Sequence, residues 1–114
     1  MRYVLLFVET EEFEQNLAAM HQSDRDRAFQ LVGQWMATYA DKIKAHGKLQ
    51  PAHTATTVRL AGDSKPLIKD GPFVEGKEVV SGYAEVEVAD LDEALRMVRT
   101  WPGCPLIEIR PLEA

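Results

Sequence analysis

Cysteine is almost absent. Cys104 is the single one, so no intrachain disulfide can staple the chain. That fits a reducing compartment, and a cytoplasmic location is the expectation. Long apolar runs are missing too. The opening run from Tyr3 to Val8 gives way to Glu9, too short for a membrane span or a signal-peptide core, and no small-residue cleavage site follows. Positive charge is in deficit: 13 Lys and Arg stand against 18 Asp and Glu, for a net charge of -5. That balance excludes a general attraction to nucleic acid and a polybasic membrane anchor. Histidine is sparse, at positions 21, 46 and 53, with no His-x-His or His-Glu-x-x-His spacing, so no metal site is expected. Gly-x-Gly-x-x-Gly, the phosphate loop and the Gly-x-Ser-x-Gly elbow are all missing, so no cofactor is expected either.

What is present suits one self-standing domain over residues 1–114. Hydrophobic residues make up 46% of the chain and charged residues 27%. A folded chain of this mass exposes roughly 6,300 Å² against about 18,600 Å² unfolded, enough burial for a core without staples. Tyr3–Val8 reads as a first strand, apolar on both faces. Glu9 to Gln22 reads as an acidic loop with a short helical turn. From Ser23, an N-cap candidate, Ala28, Leu31, Val32, Trp35, Met36, Tyr39 and Ile43 recur at helical spacing. The helix is expected to run roughly 23 residues, with basic Lys42, Lys44 and His46 near its end and Gly47 as its cap. Leu49 to Leu60 reads as extended, broken near Pro51. Ala61–Ser64 is a turn, Pro66–Lys69 a return strand, and Asp70-Gly71-Pro72 a second turn. Val79–Val88 alternates, with Val80, Gly82, Ala84, Val86 and Val88 on one face and Ser81, Tyr83, Glu85 and Glu87 on the other. Asp90 and Glu93 form a capping box for a second helix ended by Pro102-Gly103, and Leu106–Arg110 is the last strand.

This order, β-α-β, a hairpin insertion, then β-α-β, predicts an α+β ferredoxin-like split βαβ subunit. Both helices would cover one sheet face. Because the first strand is apolar on both sides, its other face calls for a cover, and a two-fold homodimer, sheet against sheet, supplies one. Tyr83, Glu85, Glu87, Glu108, Arg110 and Arg59 are expected on that bare face. There they either line a ligand cavity or form cross-strand ion pairs.

Few residues point to chemistry. His53, in Pro51-Ala52-His53-Thr54, is either a general base or an ordinary exposed imidazole. Cys104 reads as a small buried residue. The densest polar cluster is Lys69-Asp70-Gly71-Pro72-Phe73-Val74-Glu75-Gly76-Lys77-Glu78. Its stiff turn either presents Asp70, Lys77 and Glu78 to a ligand, with Phe73 as an aromatic anchor, or is a plain turn with solvated charges.

Several stretches together resemble the YCII-related family, in particular its DGPF branch. They are Met1–Leu6, Ala55-Thr56-Thr57-Val58-Arg59, Lys69-Asp70-Gly71-Pro72-Phe73, Lys77-Glu78 with Gly82-Tyr83, Glu87–Leu95, and Ile107-Glu108-Ile109-Arg110-Pro111. The resemblance implies a dimeric α/β barrel of ferredoxin-like subunits, a fold similar to that of small lactone isomerases and monooxygenases. Some members carry a proposed pair of a helix histidine and an aspartate. The aspartate carries over to Asp70. The histidine does not, since its place falls near Met36. His53 would substitute only if the fold brings it to Asp70. The resemblance also implies an association with extracytoplasmic-function sigma factors.

Three functional expectations result. The first is a cytoplasmic homodimer that binds a small molecule in a cleft beside the Asp-Gly-Pro-Phe loop, with isomerase- or hydrolase-like acid–base activity. In it Asp70 is acceptor or base, His53 a weaker candidate, and Arg59, Lys77, Glu78 and Tyr83 contact the ligand. The second is a non-catalytic regulatory module with a sigma-factor-related partner on the acidic Glu9–Glu14 face. The third is a duplicate of an enzyme fold that has lost its site.

Overall fold

The computed structural model describes residues 1–72 and 76–114; Phe73, Val74 and Glu75, including the expected aromatic anchor, lie outside the described residues. The chain runs β1 (Arg2–Thr10), α1 (Glu11–Ala19), α2 (Gln22–Thr38), β2 (Ile43–Lys48), a single 3-10 turn (Ala52–Thr54), β3 (Thr56–Arg59), β4 (Leu67–Asp70), β5 (Glu78–Glu87), α3 (Leu91–Val98) and β6 (Leu106–Pro111). It is a mixed α+β fold. Four strands form one sheet in the order β2-β5-β1-β6, every neighbouring pair antiparallel, while β3 and β4 form a hairpin sheet of their own.

The alternation in β1 decides the layers. Tyr3, Leu5 and Phe7 are buried, opposite Val86, Ala84 and Gly82 of β5 and beside Ile109 and Ile107 of β6. Ala94 and Met97 of α3 and Trp35 of α2 close over them. Trp35 is fixed there by its indole N–H, which donates to Met97 O and Thr100 Oγ1, both at 3.1 Å. Its ring meets Trp101 at 5.0 Å and Phe7 at 6.4 Å between centroids, spacings at which aromatic pairs attract. The capping box reads true: Asp90 Oδ1 accepts from Glu93 N at 2.9 Å, and Glu93 Oε2 accepts from Ala89 N at 2.7 Å.

The opposite face holds Val4, Leu6 and Val8, only half-buried. Leu6 stands between Tyr83 and Glu108, and Val4 between Glu85 and Arg110. The charged residues expected on this face are therefore there, with one exception. Arg59 belongs to the hairpin, opposite Leu67, not to the large sheet. Glu85 and Glu87 pair across the strands with Arg2, at 3.3 and 3.7 Å. The ion-pair alternative thus accounts for them, through a partner that alternation alone did not single out.

Four sequence readings need correction. Glu11–Ala19 is a nine-residue helix, not a loop, and Thr10 caps it by accepting from Phe13 N at 3.1 Å. The second helix stops at Thr38, and Ile43, Lys44, His46 and Gly47 form strand β2 instead of its last turns. His21, not Ser23, precedes that helix, with no side-chain capping bond. Finally, a bulge shifts the register so that Phe7 faces Gly82 but Val8 faces Val80. Ser81 is the extra residue; it is buried, and its hydroxyl donates to Phe7 O at 3.2 Å. The bulge moves exposed Val80 beside Val8, off the face it was expected to share with Ala84.

The resulting shape is a slab of 48 × 42 × 18 Å. Its radius of gyration is 16.5 Å, against about 13 Å for a compact domain of this length. It exposes 8340 Å², about 2,000 Å² more than a compact monomer of its mass.

Candidate functional site

A polar cleft forms where three segments meet. Glu11 starts helix α1, and its N–H donates to Lys77 O at 3.0 Å, which fastens the helix to the stretch leading into β5. The third segment, Pro51–His53, follows β2 and turns into the 3-10 turn, which closes when Thr54 N and Oγ1 both donate to Pro51 O, at 2.9 and 2.7 Å. Together they enclose a cleft of about 290 Å³ lined by Glu11, Glu14, Pro51, Ala52, His53, Gly76, Lys77 and Val79. It brings together one imidazole, one ammonium and two carboxylates. The carboxylates sit in the first turn of α1, where the helix dipole favours negative charge.

Two of the residues singled out in the sequence, His53 and Lys77, line this cleft. Asp70, Arg59, Glu78 and Tyr83 are not among its lining residues. Asp70 ends β4, exposed, opposite Thr56. The turn after it is pinned to the segment that follows the 3-10 turn: Gly71 N donates to Ala55 O at 2.6 Å, and Thr57 Oγ1 donates to Gly71 O at 2.7 Å. Gly71 has φ +108°, a left-handed value that glycine adopts without strain. Glu78 begins β5 opposite Thr10. Tyr83 lies mid-strand with its ring against Gly47, where a Cβ would stand 2.9 Å from Cε1. The sequence assigns Glu11 and Glu14 to the acidic Glu9–Glu14 partner face and not to a cleft; the signal for their helix is Thr10 followed by two glutamates, an N-cap with an acidic first turn.

A second hollow, about 420 Å³ and mostly apolar, lies between the helices and the covered face of the sheet. Strands contribute Phe7, Glu9, His46–Lys48 and Ser81–Tyr83; α1 and α2 contribute Phe13, Leu17, Ala28, Phe29, Val32 and Met36, and the segment after α3 contributes Trp101–Cys104. Glu9 and Lys48 form an ion pair of 2.9 Å within its lining. Burial pushes the Cys104 thiol up, partly offset by the Trp101 indole beside it. Cys104 is buried, as its sequence context suggested. No group of three His, Cys, Asp or Glu among the described residues is placed to hold a metal ion, and no helix among them is long and apolar enough to cross a membrane.

Comparison with known proteins gives two findings. The YCII-related domain matches residues 1–111. An uncharacterised protein of Rhizobium meliloti (strain 1021) is 37% identical over 78 residues, covering 64% of this chain. The chain spans 61% of that relative's length.

Proposed function

Since this chain belongs to the YCII-related family, we propose that it works as a homodimer that binds a small polar molecule in the cleft beside the Asp-Gly-Pro turn. The single observation behind this reading is that His53 and Lys77, 24 positions apart, line one cleft with Glu11 and Glu14. Lys77 suits an anionic group on the ligand, and the two glutamates suit hydroxyl or amino donors. An imidazole in such a cleft is the side chain best able to take and return a proton, which makes isomerase- or hydrolase-like chemistry the reaction class. Asp70 and its DGPF-type turn act from the adjoining hairpin, whose pinning to Ala55 and Thr57 holds the wall next to His53.

The dimer and the ferredoxin-like barrel belong to the same proposal. The strand order β2-β5-β1-β6 supports a split βαβ reading, in which the helices cover one sheet face and leave the other bare. The surplus exposure of about 2,000 Å² is of the size that a stable interface removes. The hairpin adds Val58, Leu60, Leu67 and Ile68, all at least half exposed, and an isolated two-stranded ribbon is marginal alone.

A thermal-shift screen of small hydroxy- and amino-acids tests the cleft, because a ligand specific for the native state raises Tm. A hit is expected to lose at least tenfold in affinity in Lys77→Ala and His53→Ala, with both variants folded. Undiminished binding in both would remove the site, and capture of a sigma-factor-like partner with no small-molecule hit would favour a regulatory module.

A further inference from the structure

The register of β5 builds an apolar row on the bare side of the sheet. The bulge at Ser81 sets Val80 opposite Val8, and Val8 has Leu106 on its other side. A bulge is a device that re-aims a side chain, and here it completes a row across β5, β1 and β6. Leu6 and Tyr83 stand in the next row. Val80 is 46% exposed, and Leu106 and Tyr83 each 40%. Further along the face the rows are charged: Val4 lies between Glu85 and Arg110, and Arg2 faces Glu87. The bare face is thus most apolar at the end where β5 and β6 begin.

The β3–β4 hairpin carries the matching surface. Val58 and Ile68 face each other across it, half and 70% exposed, and Leu60 just past β3 is 84% exposed. The ribbon pairs with no strand of the large sheet. Its neck is closed by the bonds from Gly71 N to Ala55 O and from Thr57 Oγ1 to Gly71 O, which hold it out as a unit. A ribbon of two strands needs a surface to pack on. Hairpin and row both stay exposed, so neither covers the other within one chain. Their charges are opposite in sign. Arg59, Lys65 and Lys69 against Asp63 and Asp70 give the segment 56–70 a net charge of +1. On the bare side of β1, β5 and β6, Glu78, Glu85, Glu87 and Glu108 against Arg2 and Arg110 give −2. Arg2 already holds Glu85 and Glu87, so Glu78 and Glu108 are the carboxylates open to a partner.

We infer that the hairpin is an arm exchanged between two copies, with the Val58–Ile68 side of each laid on the Val80–Val8–Leu106 row of the other. The inference rests on the homodimer proposed above and names the contact that holds it. Exchange is reciprocal, so one two-fold axis covers both arms and both rows and leaves none for a third copy. The surplus exposure of about 2,000 Å² per chain is enough for it, since a standard interface buries about 1,600 Å² over both partners.

The test combines sedimentation with cross-linking of the full chain. Ile68 is exposed in the single chain, so Ile68→Asp costs the fold little; Val58→Asp serves the same purpose should that variant not fold. The wild type is expected to be a dimer at micromolar concentration, and the folded aspartate variant to raise the dimer Kd at least tenfold. Cys104, the one native thiol, is buried, so introduced cysteines can be labelled selectively. Ile68→Cys combined with Val80→Cys, treated with a short bismaleimide, should give covalent dimers in which mass spectrometry finds position 68 of one chain joined to position 80 of the other. A wild-type dimer whose Kd is unchanged in the folded aspartate variant overturns the arm and leaves the homodimer standing. So does a dimer in which positions 68 and 80 join only within one chain or not at all. A monomeric wild type fails the homodimer itself, and the arm with it.

Discussion

Glu93 shows how much one side chain can connect. Its carboxylate accepts from the Ala89 N–H to close the cap of α3 and also binds the Lys42 ammonium just before β2. The hydrogen bond from Lys42, then that from Ala89, holds the Glu93 carboxyl below its usual range, and the same contact raises Lys42. A carboxyl depressed in the folded state contributes stability at neutral pH that fades as pH falls through its folded value. Glu93→Gln is therefore expected to lower Tm at pH 7, and the gap from the wild type should close in acid, measured by thermal melts across pH. Asp90→Ala removes the other half of the cap and should cost about 1 kcal/mol in urea denaturation. Both roles were legible in the sequence as Asp90 followed three residues later by Glu93, because a cap is local. Lys42 was not, since its partner is 51 positions away and only the sheet brings them together.

Among the elements, α1 is the least anchored. It is held by the Thr10 cap, the bond from Glu11 N to Lys77 O, the bond that the Arg25 guanidinium donates to Ala18 O at 3.1 Å, and the half-buried Phe13 packed against the core, without a fully buried residue of its own. Its amides should exchange with solvent at least a hundredfold faster than those of β1 and β5, in native-state hydrogen exchange. Equal protection would mean that these few contacts hold the helix as firmly as the sheet holds its strands. Strands β1, β4, β5 and β6 and helix α3 could be read from short apolar runs, alternation and caps, which are properties of a few adjacent residues. The end of α2 could not. Tyr39 and Ile43 sit four apart, as on a helix face, and no Gly or Pro intervenes between Gly33 and Gly47 to stop the run. Pairing with β5 overrides that pattern and pulls Ile43–Lys48 into the sheet. Gly47, which looked like a helix cap, is instead where the Tyr83 ring crosses the neighbouring strand. The candidate cleft was half legible for the same reason: His53 and Lys77 stood out as residue types, while Glu11 and Glu14 depended on recognising a helix with little apolar signal.

At the scale of the molecule, the slab shape governs behaviour. Leu6 lies at the centre of the bare face, between Tyr83 and Glu108. In the homodimer proposed above, Leu6→Glu puts a charge beside Glu108 in the interface. It should turn a dimer into a monomer at micromolar concentration by analytical ultracentrifugation, with the far-UV spectrum unchanged. A wild-type monomer at that concentration would undercut the dimer. The sheet's outer strands matter here as well. The order β2-β5-β1-β6 leaves β2 and β6 at the rims. The first carries Lys44 and Lys48 and the second ends in Pro111, a residue with no N–H to offer a neighbouring strand. Charge and proline at the rims discourage strand-by-strand growth, so association has the face and not the edge available to it. Face-to-face contact is self-limiting, and concentrating this protein should yield a finite particle where an unguarded sheet would seed a fibre.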